Sequence, residues 1–211
     1  MEEAAFLMRG AAFHQDESER LYLEEKALAL REIILEGDPV LRKKAREVDK
    51  ITPHILTLLD DMAETMYEAN GVGLAAPQIS VKRRVVVIDI GDGLIEMINP
   101  QLISTEGTQR NAEGCLSLPE QSGYVDRPQK VVVEALNRDG DLLRYEAEGY
   151  LAIAMCHEID HLEGILFTDK VLDLTEEEIA ELRRRDMEQH IIYQREMDEQ
   201  ENEESEQSEA E

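Results

Sequence analysis

His157-Glu158-Ile159-Asp160-His161 is the stretch whose reading decides this sequence, and it falls in a helix expected to begin near Tyr150 and end at Gly164. Two histidines four apart on a helix differ by about 40° around the axis and rise by about 6 Å, so both imidazoles can reach one ion. Glu158, about 60° from His161 on the same axis, can lean toward the ion's open position and take a proton from water as a general base. Asp160 lies on the other flank. Leu151, Ile153, Ala154 and Leu162 surround the motif with apolar residues. The helix therefore reads as buried, and buried histidines need partners.

A catalytic metal generally takes a third protein ligand and keeps a position for water. Glu163 and Asp169, a little further down the chain, are weak candidates, and Cys115 is the better one. Cys156 is nearer in sequence but sits about 100° from His157 and about 140° from His161, which excludes it from their ion and makes it a core thiol. Cys115 stands in Glu113-Gly114-Cys115-Leu116-Ser117-Leu118-Pro119, where glycine and proline imply a bent, closely placed backbone. One thiolate and two neutral imidazoles leave a divalent site near +1 in charge, still able to acidify water.

Upstream of these motifs, Gly37-Asp38-Pro39 supplies a turn. A helix follows, with Thr52 as cap, Pro53 in its first turn, and Ile55, Leu58, Leu59, Met62 and Met66 at 3.6-residue spacing as core, until Asn70-Gly71 ends it. Strand signals occupy residues 84–90, 94–98 and 130–136, the last before an Asn137-Arg138-Asp139-Gly140 turn. A further helix is announced by Thr175 with Glu178 three residues on, a capping box. Helix, strands and helix in blocks rather than alternation indicate an α+β fold. The organisation expected is an N-terminal extension over 1–30, with a helix possible from 18, a catalytic domain over 31–175, a C-terminal helix over 176–197, and a disordered acidic tail over 198–211.

Of the 211 residues, 48 are acidic and 22 are lysine or arginine, a net charge of -26. That sign opposes the neutralisation of phosphates, so no direct nucleic-acid grip is expected. No apolar run is long enough to cross a membrane, and Glu2 and Glu3 stand where a signal peptide carries positive charge, which points to the cytoplasm. Two cysteines are too few for a disulfide scaffold.

Three motifs in order, Gly71-Val72-Gly73-Leu74-Ala75-Ala76-Pro77-Gln78, Glu113-Gly114-Cys115-Leu116-Ser117 and the histidine pair with its glutamate, make the chain resemble the peptide deformylases from about Arg31 to about Val171. The resemblance implies small antiparallel sheets packed around the metal-binding helix. It also implies hydrolysis of the N-formyl group from the N-terminal formylmethionine of nascent polypeptides, releasing formate, with a metal-bound water activated by Glu158. Cys115, His157 and His161 would hold Fe(II), which zinc, nickel or cobalt can replace. Gln78 and the backbone N–H of Leu116 match the family's carbonyl-binding groups, and Gly71 and Gly73 would let substrate backbone lie close, like an added strand. For the methionine side chain, Tyr150, Ile153 and Ala154 share the face of His157, with Val72 opposite. The substrate's origin implies transient ribosome association, for which Arg183-Arg184-Arg185 is the one basic cluster on a helix. Two departures stand out: Cys156 replaces a common Gln, and Ser122 falls where many relatives carry Arg.

A metallopeptidase that cuts internal bonds would use the same helix pair, but would ordinarily find its third ligand downstream and would not need the segment 71–78. A closed structural metal site would need four protein ligands, and three are apparent.

Overall fold

The computed structural model describes residues 30–188. The readings for 1–29, for the end of the C-terminal helix and for the acidic tail lie outside them. The chain divides into two units, one ending at Val171 and the other starting at Leu172.

Within the first unit, the helix α1, Pro53–Glu68, starts on proline, which needs no N–H partner in a first turn. Thr52 precedes it, but its side chain makes no capping bond. Its carbonyl instead accepts the N–H groups of Ile55 and Leu56. Ile55, Leu58, Leu59, Met62 and Met66 are all buried, as the spacing predicts. They pack on Leu74, Val85 and Val87.

Among the described residues, seven strands form two antiparallel sheets. β1 (Gly73–Ala75), β2 (Val85–Ile88), β3 (Ile95–Glu106), β6 (Lys130–Leu136) and β7 (Leu142–Glu148) make a five-stranded sheet in the order β1-β2-β3-β6-β7. β4 (Gln109–Cys115) and β5 (Leu118–Arg127) make a two-stranded hairpin. The fold class is α+β, as read from the sequence. The apolar runs carry β2, β3 and β6, while β1, β4, β5 and β7 go unread in the sequence.

The motif helix α2, Gly149–Glu163, is apolar on most of its circumference, the signature of a helix buried on several sides. Ala152, Met155, Cys156 and Ile159 pack against Met97, Val131, Val133 and Ala147 of the large sheet. The expected stop is met: Gly164 closes the helix in the left-handed conformation, at φ 76°. A Cβ there would come within 2.7 Å of the carbonyl of Arg42. Gly164→Ala is therefore expected to destabilise the protein by about 2 kcal/mol, from backbone strain and a clash that cannot relax at a side-chain tip. A lowered urea midpoint at unchanged m-value checks it.

In the second unit, a helix occupies 176–188 among the described residues. Thr175 and Glu178 form its reciprocal cap, with Glu178 N–H donating to Thr175 Oγ1 and Thr175 N–H to Glu178 Oε2.

Candidate metal centre

Three elements deliver the site. α2 presents His157 and His161 with ring centroids 4.9 Å apart. The hairpin delivers Cys115 from the end of β4, where the register shifts between Gly114 and Cys115 so that Cys115 lies opposite Leu118. Such an irregularity re-aims a side chain, and here the sulfur turns to α2. Cys115 Sγ lies 3.3 Å from His161 Nε2. The ligand atoms of Cys115, His157 and His161 all lie within 4.8 Å of one another.

This S, N, N set fits a divalent transition metal. Two buried atoms beside it, Glu158 Oε2 and His161 Nδ1, have no hydrogen-bond partner among the described residues. Glu163 and Asp169 are engaged elsewhere, Glu163 with Lys44 and Arg84 and Asp169 with Arg42. Cys156 is buried in the core against the large sheet, and that burial pushes its thiol up to about 11, so it stays neutral.

His157 is fixed from behind. Its Nδ1 donates to Glu113 Oε2 at 2.8 Å, which leaves Nε2 for an ion. Glu113 also receives both forks of Arg127, Nε to Oε1 at 2.7 Å and Nη2 to Oε2 at 2.9 Å. Arg127 Nη1 then reaches Asp160, which also meets Lys170 at 2.6 Å. Burial alone would raise the Glu113 carboxyl, but the hydrogen bonds from Arg127 and His157 overcome it and hold it at about 2. The His157 imidazole is opposed by burial, yet Cys115 and Glu113 raise it to about 10. An ion must displace that proton, so metal uptake releases protons. The role of Glu113 and all of Arg127 escape the sequence reading. The signal available is a charged residue at an inward position of each hairpin strand, which becomes a pair only once the register is known.

Glu158 is buried, and that burial pushes its carboxyl up to about 7 against the attraction of His157. A carboxyl poised near neutrality is suited to exchange a proton in both directions. Gly73 leaves it room: a Cβ at Gly73 would strike its carboxylate, with Cδ only 2.9 Å away. Gly73→Ala is accordingly expected to keep its metal and lose about 10²-fold in kcat, because a displacement of about 1 Å at the base is costly. Metal analysis beside steady-state rates separates the two effects.

Gln78 lies in the 3-10 turn Ala76–Ile79 and is fully buried. Its Oε1 accepts the Ala75 N–H at 2.8 Å, which orients the amide. Nε2 then faces the site, with only long contacts to Cys115 Sγ at 3.5 Å and Ser117 Oγ at 3.3 Å. Those two acceptors can be given up for a better one.

A cavity of about 500 Å³ opens beside these groups. Cys115, His157, Glu158, Gln78 and Leu116 line it, as do Val72, Gly73, Tyr150, Ile153 and Ala154. His161 lies deeper, nearly inaccessible. Ile153 and Ala154 are buried, while Tyr150 and Val72 stand at the exposed rim. Ser122 is exposed on β5, opposite Gly114.

The polypeptide deformylase family matches residues 30–177. A peptide deformylase of Acetivibrio thermocellus is 57% identical over 167 residues, covering 79% of this chain and 98% of that protein. Among solved structures, a peptide deformylase of Thermotoga maritima superposes with a TM-score of 0.67 at 40% identity, covering 68% of this chain and 98% of its own. A class I type b peptide deformylase of Acinetobacter baumannii bound to Met-Ala-Ser superposes at 0.64 with 30% identity, over 67% of this chain and 98% of that one.

Proposed function

The chain belongs to the polypeptide deformylase family, metal-dependent hydrolases that remove the N-formyl group of nascent peptides, and from that premise we propose how its own residues carry the reaction. The observation that carries the reading is the meeting of Cys115, His157 and His161 beside Glu158, a buried carboxyl with an unpartnered oxygen.

Cys115, His157 and His161 would hold the ion, which when bound supplies the Lewis acidity that makes water nucleophilic near neutral pH. Glu158 takes a proton from the attacking water. Gln78 Nε2 and the Leu116 N–H donate to the formyl oxygen as it gains negative charge, and one such donor is worth about 3 kcal/mol of barrier. Glu158 then passes its proton to the departing amine, leaving formate and a free N-terminus. Ile153 and Ala154 give the substrate methionine an apolar wall, with Tyr150 and Val72 at its mouth. Gly71 and Gly73 bring the strand edge close enough for the peptide to lie along it.

Fe(II) is the ion this reading takes as native, with zinc, nickel or cobalt as substitutes, and metal analysis after anaerobic purification tests it. Residues 31–175 carry catalysis. The formylated N-terminus of a nascent chain places the work in the cytoplasm and in transient contact with the ribosome, which co-sedimentation with translating ribosomes tests. Oxygen-protected protein is expected to release formate from formyl-Met-Ala-Ser and to leave casein uncut. Cleavage of casein, or no formate, overturns the reading.

A further inference from the structure

Between the end of α1 and the start of β1 runs a four-residue strap, 69–72, and it forms one wall of the cavity together with Gly73. At its helix end, Asn70 N–H donates to Tyr67 O at 3.0 Å and Gly71 N–H to Met66 O at 2.9 Å. Asn70 is left-handed, at φ 53°. At its sheet end, Asp89 N–H donates to Val72 O at 2.9 Å. The two anchors are joined outside the cavity: Tyr67 Oη donates to Asp89 Oδ2 at 2.6 Å. The other carboxylate oxygen of Asp89 accepts the N–H groups of Gly91 at 2.8 Å and Gly93 at 3.3 Å. Asp89 therefore stands at a junction of the helix end, the strap and the turn after β2. Neither Tyr67 nor Asp89 lines the cavity, and Tyr67 is about half exposed, so the bond is not explained by core packing.

We propose that the Tyr67–Asp89 bond is a clamp that holds the strap at the spacing required for peptide binding, making both positioning residues for the substrate. The geometry behind this is a short bridge from the helix end to Asp89, spanning the strap from outside. Helix α1 packs one face into the core from Ile55 to Met66, and β2 is a buried inner strand. The strap is bonded to the helix end through the N–H groups of Ala69, Asn70 and Gly71 and to β2 only through Val72 O, so the placing of its sheet end depends on how firmly Asp89 is tied to the helix. A hydrogen bond from a hydroxyl to a carboxylate is short and strong for its kind. Loosening it lets Val72 and Gly71 sample positions away from the peptide, and a binding-competent fraction that falls raises the apparent dissociation constant in proportion. Glu158, Gln78 and the metal ligands lie on α2, the 3-10 turn and the hairpin, which the clamp does not touch, so chemistry on bound peptide should proceed as before.

This inference rests on the deformylase reading, and the test compares variants with parent protein in one assay, so that parental turnover measures the activity itself. In full-length, metal-loaded protein, Tyr67→Phe keeps the ring and removes only the hydroxyl. Its KM for formyl-Met-Ala-Ser is expected to rise about tenfold, as for loss of a charge-assisted bond, with kcat within about twofold of the parent and metal content unchanged. Asp89→Asn should raise KM in the same way. Adding Tyr67→Phe to Asp89→Asn should raise KM by clearly less than it does in the parent, because the hydroxyl then acts on an acceptor already weakened, whereas Asp89 also serves Gly91 and Gly93. An unchanged KM in Tyr67→Phe, a parallel loss of kcat and thermal stability without a KM change, or additive effects in the double variant would each overturn the clamp.

Discussion

Glu158→Gln is expected to bind metal as the parent does, to fold normally, and to lose on the order of 10⁴-fold in kcat for formylated peptide, at the upper end of what a single acid-base group contributes. The amide is nearly the same size and occupies the same buried space beside Gly73, so packing changes little. It has no lone pair basic enough to take a proton from water and no proton to give the departing amine. The three ligand side chains are untouched, which is why metal content separates this variant from one that damages the site. The residual rate should come from the ion together with Gln78 and the Leu116 N–H, groups that act without Glu158. Near-parental turnover in Glu158→Gln would remove that residue from the proton-transfer role.

The second large effect is structural. Glu113→Ala is expected to destabilise the protein by about 3–5 kcal/mol, because it strands a buried guanidinium. Arg127 is 3% exposed and gives two of its three nitrogens to Glu113. Removal of the carboxylate leaves Asp160 as its remaining acceptor among the described residues. The same change takes the acceptor from His157 Nδ1, and loss of such support typically lowers metal affinity about 10- to 100-fold. Two readouts follow from one substitution: a lower denaturant midpoint in metal-free protein, and weaker metal retention against a competing chelator. Glu113→Gln, which keeps an oxygen for one partner, should fall between. A variant that loses stability but holds metal as before would mean that His157 does not depend on Glu113 for its orientation.

The extent to which these features can be read from sequence follows the range of the interaction. The bounds of α2 are legible because its causes are local: an apolar circumference, and Gly164 as the one residue that suits a left-handed stop against the Arg42 backbone. The histidine pair is legible because helix geometry alone puts both rings on one side. Cys115 is nearly so, since Gly114 and Pro119 mark a bent backbone, although the register shift that turns its sulfur inward is a property of two strands together. The hairpin itself is hidden, because β4 and β5 are rich in Gln, Asn, Ser and Gly and lack the apolar alternation that marks a half-buried strand. β7 is different: Leu143, Tyr145 and Ala147 alternate with Arg144 and Glu146, and the pattern is present for anyone who counts it. The Glu113–Arg127 pair and the Tyr67–Asp89 bond depend on residues far apart in sequence, where neither partner alone signals the other.

The sulfur and the nearer-lying imidazole come from positions 46 residues apart, so an ion held by both acts as a removable cross-link closing a loop of that length. A cross-link stabilises by limiting the unfolded ensemble, and more so as the enclosed loop lengthens. The hairpin, already tied to α2 by the Arg127–Asp160 and His157–Glu113 bonds, would then be sewn to it once more by the same ion that serves catalysis. Stripping the metal should make the interval between Cys115 and His157 the first place a protease cuts, and restoring it should close that door, so that inactivation and degradation share one trigger.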